Sequence, residues 1–151
     1  MTNRGRISAR LGGAVVALLL PAVAPASVNR VQLAARLTPG QEAPPQHLRN
    51  LAASGTFTAT VRPVKNGYRL NWRLTFTKLS GAATSAYIHR GRAGTHGAAI
   101  VQLCSPCRSG ASGNEYFSPP ELTLARQGSL YVNVRTPLNP GGEIRGQVRV
   151  L

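Results

Sequence analysis

From Tyr68 to Phe76 the chain reads YRLNWRLTF, and every second residue is large and apolar: Tyr68, Leu70, Trp72, Leu74 and Phe76. The residues between them, Arg69, Asn71, Arg73 and Thr75, are polar. A period of two puts alternate side chains on opposite faces of a strand, and a helix cannot gather such a pattern on one side. Asn66-Gly67 stands just before this run, and before that Thr56–Val61 alternates with Phe57, Ala59 and Val61 on one face. Two alternating runs joined through Asn-Gly predict an antiparallel hairpin with one apolar face. That face must be covered, so the chain needs a second layer.

Further short segments fit the same scheme. Strands are expected at about 32–37, 83–89, 98–103 and 130–136, with a closing strand at 143–150 that pairs with the one before it. Pro39-Gly40, Pro44-Pro45, Ser80-Gly81 and Pro137–Gly142 punctuate them. Cys104–Gly113 reads as a small-residue loop. Ser118-Pro119-Pro120-Glu121 has the spacing of a helix capping box, and Gly128 supplies a stop, so one short helix over about 120–127 is allowed. Seven or so strands with at most one short helix define an all-β antiparallel sandwich. Its expected core is Phe57, Val61, Leu70, Trp72, Leu74, Phe76, Ile88, Ile100, Leu103, Val132, Val134, Ile144 and Val148.

The first 26 residues follow other rules. Arg4, Arg6 and Arg10 precede the apolar run 11–20, and PAVAPAS follows it, with a cut expected after Ala26. That is the pattern of a secretory signal, and the apolar run is too short for a membrane span. The expected organisation is therefore a signal peptide at 1–26 and one domain at 27–151, secreted or periplasmic, with no transmembrane span after cleavage. The full chain carries 18 Lys and Arg against 4 Asp and Glu, a formal +14. Removal of the leader leaves 15 basic residues and +11. The cations are scattered and no aromatic stacking platform is interleaved with them, so a specific nucleic-acid partner is not indicated. A positive field of this size favours anionic partners such as an envelope polymer or protein.

Five stretches, LTPGQEAPP (37–45), GYRLNWRLTF (67–76), AYIHRGRAGTHGAAIVQL (86–103), QGSLYVNVRT (127–136) and GGEIRGQV (141–148), together resemble the CHRD domain, first noted in chordin and found in exported bacterial proteins. The resemblance covers nearly all of the chain after the leader, and Gly142-Glu143-Ile144-Arg145-Gly146 is its most specific part. It implies an immunoglobulin-like sandwich distantly similar to copper/zinc superoxide dismutases, and it implies no established activity. Many members of the family read A-H-I-H and V-N-V-H-T where this chain has Ala86-Tyr87-Ile88-His89 and Val132-Asn133-Val134-Arg135-Thr136. Tyr87 and His89 are two apart, so they share a face.

Candidate chemistry is sparse. No Asp is present, the four Glu are scattered, and neither a catalytic triad nor a paired-carboxylate site can be assembled, so the chain reads as non-enzymatic with no cofactor. Cys104-Ser105-Pro106-Cys107 could be a redox couple or half a metal site. Haem attachment would need His after the second cysteine, where Arg108 stands. In an exported protein the default is a local disulfide. The alternative to a binding or structural module is a copper- or zinc-binding protein with a degenerate site, using His89, His96, Cys104 and Cys107. Against it, both histidines read as exposed loop residues. At the C-terminus, Glu143 and Arg145 are expected on one face of one strand, sharing a contact that clasps the sandwich shut. Gly146 in mid-strand signals a bulge or a close backbone approach.

Overall fold

A computed structural model describes residues 29–44 and 51–151. The expected leader at 1–26 lies outside them. Among the described residues, nine strands form two antiparallel sheets. The first sheet contains β1 (Val31–Leu37), β2 (Ser54–Val64), β3 (Gly67–Thr77), β6 (Ala111–Phe117) and β9 (Arg149–Val150), in the order β6-β3-β2-β1-β9. The second contains β4 (Ser85–Arg90), β5 (Ala99–Cys104), β7 (Leu130–Arg135) and β8 (Ile144–Gln147), in the order β5-β4-β7-β8. The chain is an all-β sandwich.

The hairpin of β2 and β3 is the frame. Its register runs without a slip from Ser54↔Thr77 to Val64↔Gly67, and Lys65-Asn66 make the turn with Asn66 at φ 65°. Phe57, Ala59, Val61, Leu70, Trp72 and Leu74 point inward and are buried. Against them pack Ala86, Ile88, Val132, Val134 and Ile144 from the second sheet. Each of these large side chains contributes ~1.5–3 kcal/mol through burial. Two of the expected core residues differ: Phe76 and Ile100 are only partly buried, and Val101 is the buried residue of β5 in place of Ile100. Register shifts between β4 and β5 change which alternation faces inward there.

The segment expected as a loop at 104–113 ends in a strand. β6 pairs with β3 along the sheet edge, and Gly113 lies opposite Trp72. A Cβ on Gly113 would come within 2.9 Å of the indole, so the space above that glycine belongs to Trp72. From β6 the chain crosses to the second sheet through α1 (Pro119–Arg126). Ser118 and Glu121 form a reciprocal capping box, and Pro119 and Pro120 fill the first turn, where no amide donor is needed. The helix ends in a Schellman motif: Ser129 N donates to Leu124 O and Gly128 N to Ala125 O, with Gly128 at φ +64°.

The closing strand also departs from expectation. It divides at Val148, whose N–H donates to Leu130 O. β8 completes the second sheet beside β7, while β9 joins the first sheet beside β1. Just past β1, Thr38 and Arg145 exchange both backbone hydrogen bonds, at 2.9 and 3.1 Å. One corner of the sandwich is thus sewn from β1 to both halves of the closing segment. A Cβ on Gly146 would run into the Arg36 backbone, so a glycine here permits that approach.

Candidate functional site

Strands with one solvated face should show alternating burial, yet β7 is buried at Leu130, Tyr131, Val132, Asn133 and Val134 alike. The outer face of the second sheet is covered along β7 and β8, while Gln102 of β5 stays exposed, and the cover is made by two loops. One is the 91–98 loop between β4 and β5. The other is the turn after β1, Pro39–Glu42.

Side chains of the sheet hold the first loop by its backbone. His89 Nδ1 lies 2.9 Å from Gly97 O, Gly97 N donates to the Tyr131 hydroxyl at 3.1 Å, Arg145 Nη2 donates to Arg92 O at 2.9 Å, and Gln147 Nε2 donates to Gly91 O at 2.8 Å. The second loop is held through the side chain of Glu42. Asn133 Nδ2 donates to both Glu42 carboxylate oxygens, at 3.0 and 3.1 Å. Gly142 stands against this pair at φ +142°, and a Cβ there would overlap the Asn133 amide and sit 2.8 Å from both Glu42 oxygens.

Between the loops runs a row of rings and cations. Arg135 covers the Tyr87 ring at 4.9 Å, Tyr87 meets His89 edge-on at 5.9 Å, His89 stacks on Tyr131 at 4.8 Å, and the Arg145 guanidinium lies 3.5 Å from the Tyr131 centroid. Arg145 and Tyr131 are buried and Arg135 and Tyr87 only partly so, which puts cation–π contacts of this kind between ~0.5 and ~2 kcal/mol, the buried pair at the upper end. Alongside is a cavity of ≈ 260 Å³ lined by Glu42, His89, His96, Asn133, Arg135 and Arg145, among others.

Burial sets the ionisation here. Desolvation pushes the Glu42 carboxyl up to about 7, although Arg145, Arg135 and the Asn133 hydrogen bond all oppose the rise. Desolvation likewise holds His89 below its ordinary value, outweighing its bond to Gly97, so the ring is neutral. Burial also lowers Arg145, while Tyr131 and Glu42 support its charge.

Glu143 belongs to a separate place. It is fully buried, yet it does not meet Arg145 as expected. Its carboxylate accepts from Ser80 N at 2.6 Å, Ser80 Oγ at 2.5 Å, Thr136 Oγ1 at 2.6 Å and Asn139 Nδ2 at 3.2 Å. Glu143 precedes β8 and reaches into the loops at the end of the sheet, whereas Arg145 lies on the covered face. The two residues clasp different parts of the chain. Burial raises the Glu143 carboxyl, but these donors outweigh it and hold it below the usual carboxylate range.

The metal-ligand set is not assembled. Cys104 and Cys107 are bonded to each other, His96 is exposed, and His89 is a buried strand residue rather than an exposed loop one. Among the described residues no group of three or more His, Cys, Asp or Glu is placed to hold a metal ion. Sequence reasoning missed Glu42, Tyr131 and Asn133. The signal for Glu42 was a carboxylate within a Pro-Gly-rich turn of a chain with only four acids. Asn133 and Tyr131 looked like the solvated half of an alternating strand, and only the loop cover shows otherwise.

The fold and the site define a two-sheet antiparallel sandwich whose one outer face is roofed over a polar and aromatic row. A family model described as CHRD domain matches residues 33–148, and the chain belongs to that family. No curated protein and no solved structure matches.

Proposed function

We propose that this chain is an exported, non-enzymatic binding module of the cell envelope, and that the open face of its five-stranded sheet contacts an anionic envelope polymer. The observation that carries this reading is the composition of that face. Register places Arg62 beside Arg69, and Arg73 beside Thr58. Arg149 lies beside Ala34, and Arg36 beside Thr56. All five arginines are exposed. Between them stand Gln32, Thr56, Thr58, Thr60, Asn71, Asn114 and Ser112, and no carboxylate points outward from these strands among the described residues. Shallow clefts of ≈ 420 and ≈ 280 Å³ flank Arg36.

The opposite sheet is roofed, so the five-stranded sheet offers the flat surface. Rows of guanidinium groups among hydroxyls and amides suit a polymer that carries both anions and hydroxyls. Family membership agrees with a binding or structural module. No described helix is long and apolar enough to cross a membrane.

Export is tested by the mass of the protein recovered from the native compartment, which should begin at Ser27. Binding is tested by retention on an immobilised anionic polymer against a control protein of equal net charge. Longer retention supports the reading, and equal retention refutes it.

A further inference from the structure

We infer that the half-open cavity beside Asn133 is a binding site for a small hydroxycarboxylate of sugar-acid type, separate from the basic face. Three buried polar atoms of residues that line the cavity have no hydrogen-bond partner: His89 Nε2, Asn133 Oδ1 and Arg135 Nε. Such groups are costly to bury unpaired, and three around one cavity point to a ligand that completes them.

Their chemistry describes the ligand. His89 Nδ1 faces the Gly97 carbonyl, which only accepts, so Nδ1 carries the proton. Nε2 of the neutral ring is therefore an acceptor, as is Asn133 Oδ1. These two call for hydroxyl donors on the ligand. Arg135 Nε and the guanidinium of Arg145 are donors with positive charge, and they call for a carboxylate. Two arginines against Glu42 leave the cavity net positive. They disfavour a metal ion, and a plain anion would leave the acceptors unpaired. A volume of ≈ 260 Å³ lies just below the ~300 Å³ at which sites for drug-sized ligands begin, which suits a single small acid.

Calorimetry on the purified chain tests this with D-glucuronate as the probe, beside D-glucose, acetate and inorganic phosphate. The expected result is one site for glucuronate, with affinity ~10-fold or more above each of the other three. Arg135→Gln should weaken glucuronate at least ~10-fold. Arg135 is only partly buried, and a thermal melt of the variant shows whether it is folded. The double variant Arg62→Gln/Arg69→Gln, on the basic face, should leave glucuronate binding unchanged. Polymer binding and acid binding can therefore fail independently. Equal affinity for acetate or phosphate would reduce the site to a general anion hole. No glucuronate heat, or a folded Arg135→Gln protein that binds as before, would overturn the assignment. Should that variant not fold, the comparison of four probes on the unaltered protein decides alone.

Discussion

Glu143 and Glu42 are both buried carboxyl groups, and their surroundings give them opposite characters. Glu143 receives four hydrogen bonds and stays ionised, while Glu42 has its charge disfavoured by desolvation. Glu143→Gln keeps the shape but turns an amide NH₂ toward donors. We expect a loss of ~2–4 kcal/mol in urea unfolding, since several buried donors lose their acceptor. Because the folded pKa of Glu143 is depressed, the stability it contributes is present above pH ~4.5 and is lost as pH falls through the folded value. Glu42 runs the other way. Its folded pKa of about 7 lies above the unfolded 4.5, so its contribution is fully present below pH ~4.5 and is lost as pH rises through about 7. A rise of this size corresponds to about 3 kcal/mol. Glu42→Gln should therefore flatten the decline in stability between pH 4.5 and 8. A variant whose pH profile overlays that of the parent would contradict the assignment. Gly142→Ala places a methyl group on the Asn133–Glu42 pair at a strained φ, and should cost on the order of 3 kcal/mol by the same urea measurement.

Elements differ in how openly they announce themselves. The β2–β3 hairpin was legible because Tyr68–Phe76 alternates without a fault, and α1 because Ser118, Pro119, Pro120, Glu121 and Gly128 each occupy the position that cap chemistry requires. β6 was hidden, since ASGNEYF brings few apolar side chains of its own and its glycine makes room for a partner's tryptophan. The closing strand was misread as one piece because GGEIRGQVRVL alternates throughout. Its division between sheets depends on Thr38 and Leu130, far away in sequence. The covered face was illegible for a related reason: the same alternation describes polar residues in water and polar residues beneath a loop. At this scale the disulfide is a modest element. Cys104 and Cys107 close a loop of four residues, which by chain entropy stabilises by only about 2 kcal/mol. Cys104→Ser/Cys107→Ser should lower the melting temperature by several degrees, leave the far-ultraviolet circular dichroism unchanged, and not unfold the domain.

For the molecule as a whole, the two outer faces differ in kind. One is partly roofed and carries a small, half-open polar cavity, and the other is open and lined with arginines. The total charge was visible in the composition, but the alignment of five arginines on one face followed only from the register of β1, β2, β3 and β9. A module that binds through that face must depend on where its arginines stand, beyond how many it has. Two triple variants of identical net charge separate these possibilities. Arg62→Gln/Arg69→Gln/Arg73→Gln removes charge from the face, and Arg90→Gln/Arg92→Gln/Arg126→Gln removes it from exposed positions elsewhere. Three lost contacts at ~0.5–1 kcal/mol each should weaken binding to an anionic polysaccharide by ~10- to 100-fold in the face variant, with little change in the other. Equal weakening of both variants would contradict the account, since attraction would then follow net charge alone.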